Sequence, residues 1–197
     1  MDNFLKCDMH LHSSSCYSRS YNKESFIKKM TEIDLDVFSI TDHNVVDVKL
    51  YRELELILKG KKQIIGGVEL NIAIDDNTIK NYRLTTQESY FHAIVWFDLQ
   101  DLENLWEALK NLIINKLNIN IDSNMSIKEI SRKTEGKYFY LNDIQEEFKS
   151  INYYMIFHEG KSSRNLSDYL KNTKENMAYK HNLFYYNNKL AIEGGLK

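Results

Sequence analysis

Short apolar runs rich in β-branched and aromatic residues alternate with helix-patterned segments along this 197-residue chain. That alternation limits the fold more than any other feature. Residues 4–10 (FLKCDMH), 36–41 (DVFSIT), 62–70 (ending QIIGGVEL), 72–85, 90–97 (YFHAIVWF), 153–158 (YYMIFH) and 189–193 (KLAIE) read as strands. Segment 24–33 places Phe26, Ile27, Met30 and Ile33 on one helical face. Segments 45–58 and 102–117 are long and apolar enough for helices; shorter ones fit 126–132 and 142–150, and more helix starts at 166–170. Strands separated by helices predict an α/β fold built on a parallel sheet or barrel. No repeat, low-complexity tract or linker divides the chain, so 1–197 reads as a single domain.

Composition then removes several classes. Two cysteines, Cys7 and Cys16, exclude a disulfide framework and a four-cysteine zinc module. A net charge of −2 supplies no global basic field for non-specific nucleic-acid binding, though a local phosphate site remains open. The N-terminus MDNFLKCDMH has no apolar signal core, and no run approaches the roughly 18 apolar residues of a membrane span. A soluble, cytoplasmic protein with no membrane partner is expected. P-loop, dinucleotide and serine- or cysteine-nucleophile motifs are absent from the sequence.

The histidines carry the chemistry. His10 and His12 follow the first strand as an H-x-H pair, and residues i and i+2 of an extended chain point the same way. Asp42 and His43 follow the second strand, Glu69 ends the third, His92 lies at the start of the fifth and His158 ends the sixth. In α/β barrels the strand ends converge on one mouth, so residues far apart in sequence can meet there. Imidazoles with a carboxylate suit zinc, manganese or iron. Lys161 and Arg164, just after His158, are candidate phosphate contacts at the same rim.

These residues carry a resemblance. Asp8-Met9-His10-Leu11-His12-Ser13, followed by Phe38-Ser39-Ile40-Thr41-Asp42-His43-Asn44, resembles the first two motifs of the polymerase and histidinol phosphatase (PHP) superfamily. Gly67-Val68-Glu69 resembles its next motif, Phe91-His92-Ala93-Ile94-Val95 the one after, and Phe157-His158-Glu159-Gly160 a later one. The resemblance implies a distorted (β/α)7 barrel that hydrolyses phosphate esters with two or three divalent metals. By position, His10 and His12 would hold the first metal, Glu69 would bridge the first and second, and His92 and His158 would complete the second. His43 would belong to a third site. Asp8 and Asp42 would orient the ligand histidines.

Two departures qualify it. The family closes its cluster with a D-x-H near the C-terminus, and no residue after His158 forms one. The barrel is therefore expected to be incomplete or open at its C-terminal end, completed by another chain, a homo-oligomer or further sequence, or else shortened, with His181 or Glu193 as substitute ligands. After His12 the chain offers Ser13, Ser14, Ser15, Cys16 and Ser18; Cys16 is open to soft-metal ligation, an ordinary thiol being the simpler reading. The N-terminal pattern also resembles PHP domains joined to ATPase modules, which makes nucleic acid a candidate substrate. The competing expectation is a non-catalytic module that docks on a partner such as an ATPase.

Overall fold

The computed structural model describes residues 4–73, 90–158 and 190–193. Seven strands, β1 (Cys7–Leu11), β2 (Val37–Ile40), β3 (Gln63–Ala73), β4 (Tyr90–Phe97), β5 (Phe139–Tyr140), β6 (Tyr153–His158) and β7 (Leu190–Glu193), form one sheet. The order is β1-β2-β3-β4-β6-β7, with β5 paired to β3 off that path. Neighbours pair in parallel except β4, which runs antiparallel to both β3 and β6.

The helices are α1 (Lys23–Glu32), α2 (Val48–Leu58), α3 (Leu102–Leu117), α4 (Ile127–Lys133) and α5 (Leu141–Glu147). Three of the five start where a side chain closes open N–H groups. Asn22 caps α1, Asp47 caps α2, and Ser126 with Glu129 forms a capping box on α4. Leu50, Leu54 and Leu58 recur at four-residue spacing and turn one face of α2 into the core. The stripe Leu102, Leu105, Trp106, Leu109, Leu112 and Ile113 does the same for α3, which ends at Asn118 in the left-handed conformation (φ 52).

The expectation of an α/β fold agrees with this architecture, whereas a strictly parallel alternation does not. An antiparallel neighbour needs no helical crossover, and the sequence between β3 and β4 has no helical pattern. Strand β5, two residues long, carries no periodic signal at all. The expected helix at 166–170 lies outside the described residues, as does most of the strand expected at 72–85. Among the described residues no pairing joins β7 to β1, so the seven strands form an open sheet there.

That sheet is strongly curled. Trp96 on β4 donates its indole N–H to the Met9 carbonyl on β1 at 2.9 Å. In a flat sheet strands three places apart would lie about 14 Å from each other, beyond the reach of one side chain. The indole thereby satisfies a carbonyl that an edge strand would otherwise leave open. Trp96→Phe keeps the apolar bulk and deletes the donor. It is expected to cost about 1 kcal/mol, read as a lower urea midpoint with an unchanged slope; an unchanged midpoint would show that the tie contributes nothing.

Because β4 runs backwards, its N-terminal end lies with the C-terminal ends of β1, β2, β3, β6 and β7. His10 on β1, Glu69 on β3 and His92 on β4 are thereby brought together toward that end of the sheet.

Candidate metal centre

Strand β1 carries one extra residue between the pairs Asp8↔Phe38 and Leu11↔Ile40. This bulge sits at Met9 and His10 and re-aims the chain there. The turn that follows is fixed from the β2 side. Thr41 donates its N–H to the Leu11 carbonyl at 2.6 Å, and Ser13 donates its N–H to Asp42 Oδ1 at 2.6 Å and its hydroxyl to Asp42 Oδ2.

Strands β2 and β3 part after Ser39↔Ile65 and meet again at a bridge between His43 and Glu69. The buried Tyr51 hydroxyl fills the gap. It donates to the Ile40 carbonyl at 2.6 Å and accepts the Gly67 N–H at 2.9 Å. Burial raises this phenol far above its ordinary pKa, so the proton stays. Beyond the gap Asn44 takes the left-handed conformation (φ 55), which asparagine tolerates better than most residues. Its N–H donates to the Glu69 carbonyl at 2.8 Å, and its Oδ1 accepts the Asn71 N–H at 2.9 Å.

Glu69 is the centre of the site. Its side chain is 2 % exposed, and four imidazoles converge on its carboxylate. His10 Nε2 lies 3.0 Å from Oε2, His12 Nε2 3.3 Å and His43 Nδ1 3.6 Å, while His92 Nδ1 lies 2.6 Å from Oε1. The rings of His12 and His43 stack with centroids 4.7 Å apart; His92 meets His43 edge-on at 5.4 Å. His92 is 44 % exposed, so the cluster opens to solvent on the β4 side.

The electrostatics suit cation binding. Burial pushes the Glu69 carboxyl up, but hydrogen bonds from His10 and His92 and the charge of His43 and His10 outweigh it and hold the group well below the usual carboxylate range. Burial drives His12 down to about 3, so this imidazole is neutral, as a ligand must be. Its Nδ1 is buried with no hydrogen-bond partner among the described residues, which is unusual for a buried polar atom unless something else satisfies it. Two ligand sets share one carboxylate: His10, His12 and Glu69, and His43, Glu69 and His92, with the ligating atoms of each within 4.8 Å of one another. Imidazole nitrogens around a carboxylate fit zinc, manganese or iron.

Five of the expected site residues, His10, His12, His43, Glu69 and His92, thus come together in space. His158 ends β6, and the register that pairs Phe157 with Ala93 sets it next to His92 at the same sheet end, opposite Glu193 on β7. The side chains of His158 and Glu193 lie outside the described residues, as do Lys161, Arg164 and His181. Asp8 accepts the backbone N–H of His10 at 3.2 Å, a short-range turn bond. Asp42 is held by Ser13 and shapes the turn after His12. Both thus contact backbone or hydroxyl groups near the histidines.

Two neighbours were not singled out by sequence. The Tyr17 ring lies 5.4 Å from that of His43. Arg19 is exposed, yet its charge acts on both His12 and Asp42. Both belong to the loop after His12, which the sequence marked only as serine-rich. The signal for Arg19 was its place in that loop.

Burial raises the Asp42 carboxyl from 3.8 to about 7, the Ser13 hydrogen bonds offsetting only part of it. The folded state then binds this proton more tightly than the unfolded chain, so stability falls as pH rises between those two values. Asp42→Asn removes the titration. In chelator, the stability of the native protein relative to this variant is expected to decline across that window. A pH-independent difference in unfolding free energy would contradict the burial assigned to Asp42.

No family model matches the chain, and no curated protein matches it in sequence. Its fold is similar to that of a protein from Bifidobacterium adolescentis described as a metal-dependent phosphoesterase. The TM-score is 0.50 at 10 % identity, over 85 % of this chain and 73 % of that one. A second solved structure, an amidohydrolase from Chromobacterium violaceum with bound sulfate and no metal, aligns with a TM-score of 0.49 at 12 % identity, over 82 % of this chain and 70 % of that one. At these identities the likeness concerns the fold. Among the described residues, no helix is long and apolar enough to cross a membrane.

Proposed function

We propose that this chain is a metal-dependent phosphoesterase that cleaves phosphate esters by attack of water. The observation that carries the reading is the buried carboxylate of Glu69 shared by two imidazole sets. Divalent cations held there would supply Lewis acidity and a nucleophilic water at neutral pH. The chain's own residues set the conditions. Glu69 stays anionic and links the two ligand sets. His12 stays neutral and keeps a lone pair available. The Asp42–Ser13 contacts fix the turn after His12, and the Asn44–Glu69 contact fixes β3 against the loop that carries His43. Arg19 contributes positive charge where a phosphate would approach, and the exposed edge of His92 leaves a path for it. His158 completes the set beside His92, with Lys161 and Arg164 as further phosphate contacts.

Phosphate monoesters and nucleic-acid ends are the two substrate classes that such a site fits. The test is hydrolysis of a nitrophenyl phosphate monoester, its bis-ester and a short oligonucleotide after chelation and re-addition of manganese or zinc. Turnover that returns with metal on at least one of them is expected. A chain that binds metal yet turns over none of the three contradicts the reading. That outcome would favour the second reading, a non-catalytic module docked on a partner protein such as an ATPase or on a second copy that completes the barrel. Its motivation is that, among the described residues, β7 and β1 are left unpaired with each other.

A further inference from the structure

Cys16 lies in the loop after His12, held by two successive turns: its N–H donates to the Ser13 carbonyl at 3.3 Å and its carbonyl accepts the Arg19 N–H at 3.2 Å. The residue is fully buried, yet it is not part of the apolar core cluster. A structural buried cysteine normally packs as a small hydrophobe. Here the sulfur faces polar groups instead. Ser18 Oγ is 3.1 Å from Sγ, and Sγ, a ring nitrogen of His12 and one of His43 lie within 4.8 Å of each other. Around a tetrahedral zinc such atoms sit roughly 3.3–3.6 Å apart, so a small contraction of side chains closes the set. Independent of the thiol, His12 is 7 % exposed and its Nδ1 is buried without a hydrogen-bond partner among the described residues.

We propose that Cys16, His12 and His43 form a separate site for a thiophilic divalent cation such as zinc or cobalt, exclusive of the Glu69-centred cluster. Binding replaces the thiol proton: Cys–SH and the cation give the metal thiolate and a released proton. Exclusivity follows from the imidazole. A neutral ring has one lone pair and one N–H. When His12 ligates through Nδ1, its Nε2 carries the proton and turns it toward the Glu69 carboxylate, 3.3 Å away. Glu69 then orients the ligand histidine, as carboxylates behind metal-bound imidazoles do. When His12 serves the Glu69 cluster through Nε2, Nδ1 carries the proton and the thiol site lacks a ligand. A soft cation at Cys16 thus withdraws His12 and His43 from the Glu69 cluster. The inference shares with the proposed function the reading of these two histidines as ligands, but does not require Glu69 to bind metal.

The test is titration of the chelator-treated chain with cobalt(II), followed by near-ultraviolet absorption. A thiolate-to-cobalt charge-transfer band is expected in the native chain. It should persist in Cys7→Ser, where Cys16 is the sole remaining thiol, and in Glu69→Gln. It should vanish in Cys16→Ser. A native chain without the band, a band that survives in Cys16→Ser, or one lost in Glu69→Gln or Cys7→Ser overturns the proposal. Should Cys16→Ser not fold, the Cys7→Ser chain alone decides, since any thiolate band in it belongs to Cys16. A band obtained with no metal-dependent hydrolysis sinks the phosphoesterase reading and leaves this site standing.

Discussion

Glu69→Gln is expected to remove metal-dependent phosphoesterase activity and the tight binding of manganese while leaving the fold intact. The substitution keeps the shape and deletes the charge shared by both ligand sets. Loss of an outer partner of a metal ligand typically costs about 10–100-fold in affinity or activity; loss of the shared carboxylate itself should exceed the upper end of that range. The fold should tolerate it because His10 and His92 meet different oxygens of Glu69: the amide oxygen still accepts from one imidazole, and the amide NH2 donates to the lone pair of the other. Manganese binding by calorimetry and turnover of a phosphate ester read the two effects separately. Turnover in Glu69→Gln within a factor of about ten of native, the low end of that range, would exclude a mechanism centred on this residue.

Gly67→Ala is expected to be strongly destabilising. A Cβ at this position would meet the Ser39 hydroxyl, the Ile40 carbonyl at 2.8 Å and Thr41 Cγ2 at 2.9 Å. The Ile40 oxygen is backbone and already accepts from Tyr51, so it cannot turn aside without breaking that bond. Overpacking of this kind costs about 1–3 kcal/mol, and the constraint on Ile40 places Gly67→Ala at the upper end. The consequence reaches the metal centre, since β2 and β3 rejoin just beyond this contact, at His43 and Glu69. Urea unfolding and manganese affinity should both worsen. A native-like midpoint would show that β2 and β3 are not in close contact at Gly67.

The residues that cluster around Glu69 were readable because their chemistry breaks an apolar pattern. H-x-H after one strand, D-H after another and a glutamate in an otherwise apolar run stand out in any sequence of this composition. What the pattern hid was local. Glu69 looked like the end of a strand, yet β3 continues through Asn71 to Ala73; Asn71 is buried because Asn44 and the Lys137 carbonyl bond it, contacts no sequence window contains. Tyr51 belongs to an apolar helix stripe, and nothing in that stripe reveals that its hydroxyl bridges two strands. The reversal of β4 was hidden as well, because an apolar alternation is the same in both directions. Asp42 stands beside His43 in sequence, but its partner is Ser13, reached through the β1–β2 register.

The most direct test of the central claim is an anomalous-scattering measurement on crystals of the chain soaked with manganese. The account predicts cation density against the Glu69 carboxylate, ligated by imidazole nitrogens of His10, His12, His43 and His92, and no such density in crystals of Glu69→Gln. Crystals in which manganese avoids Glu69, or in which these imidazoles turn away from it, would contradict the account.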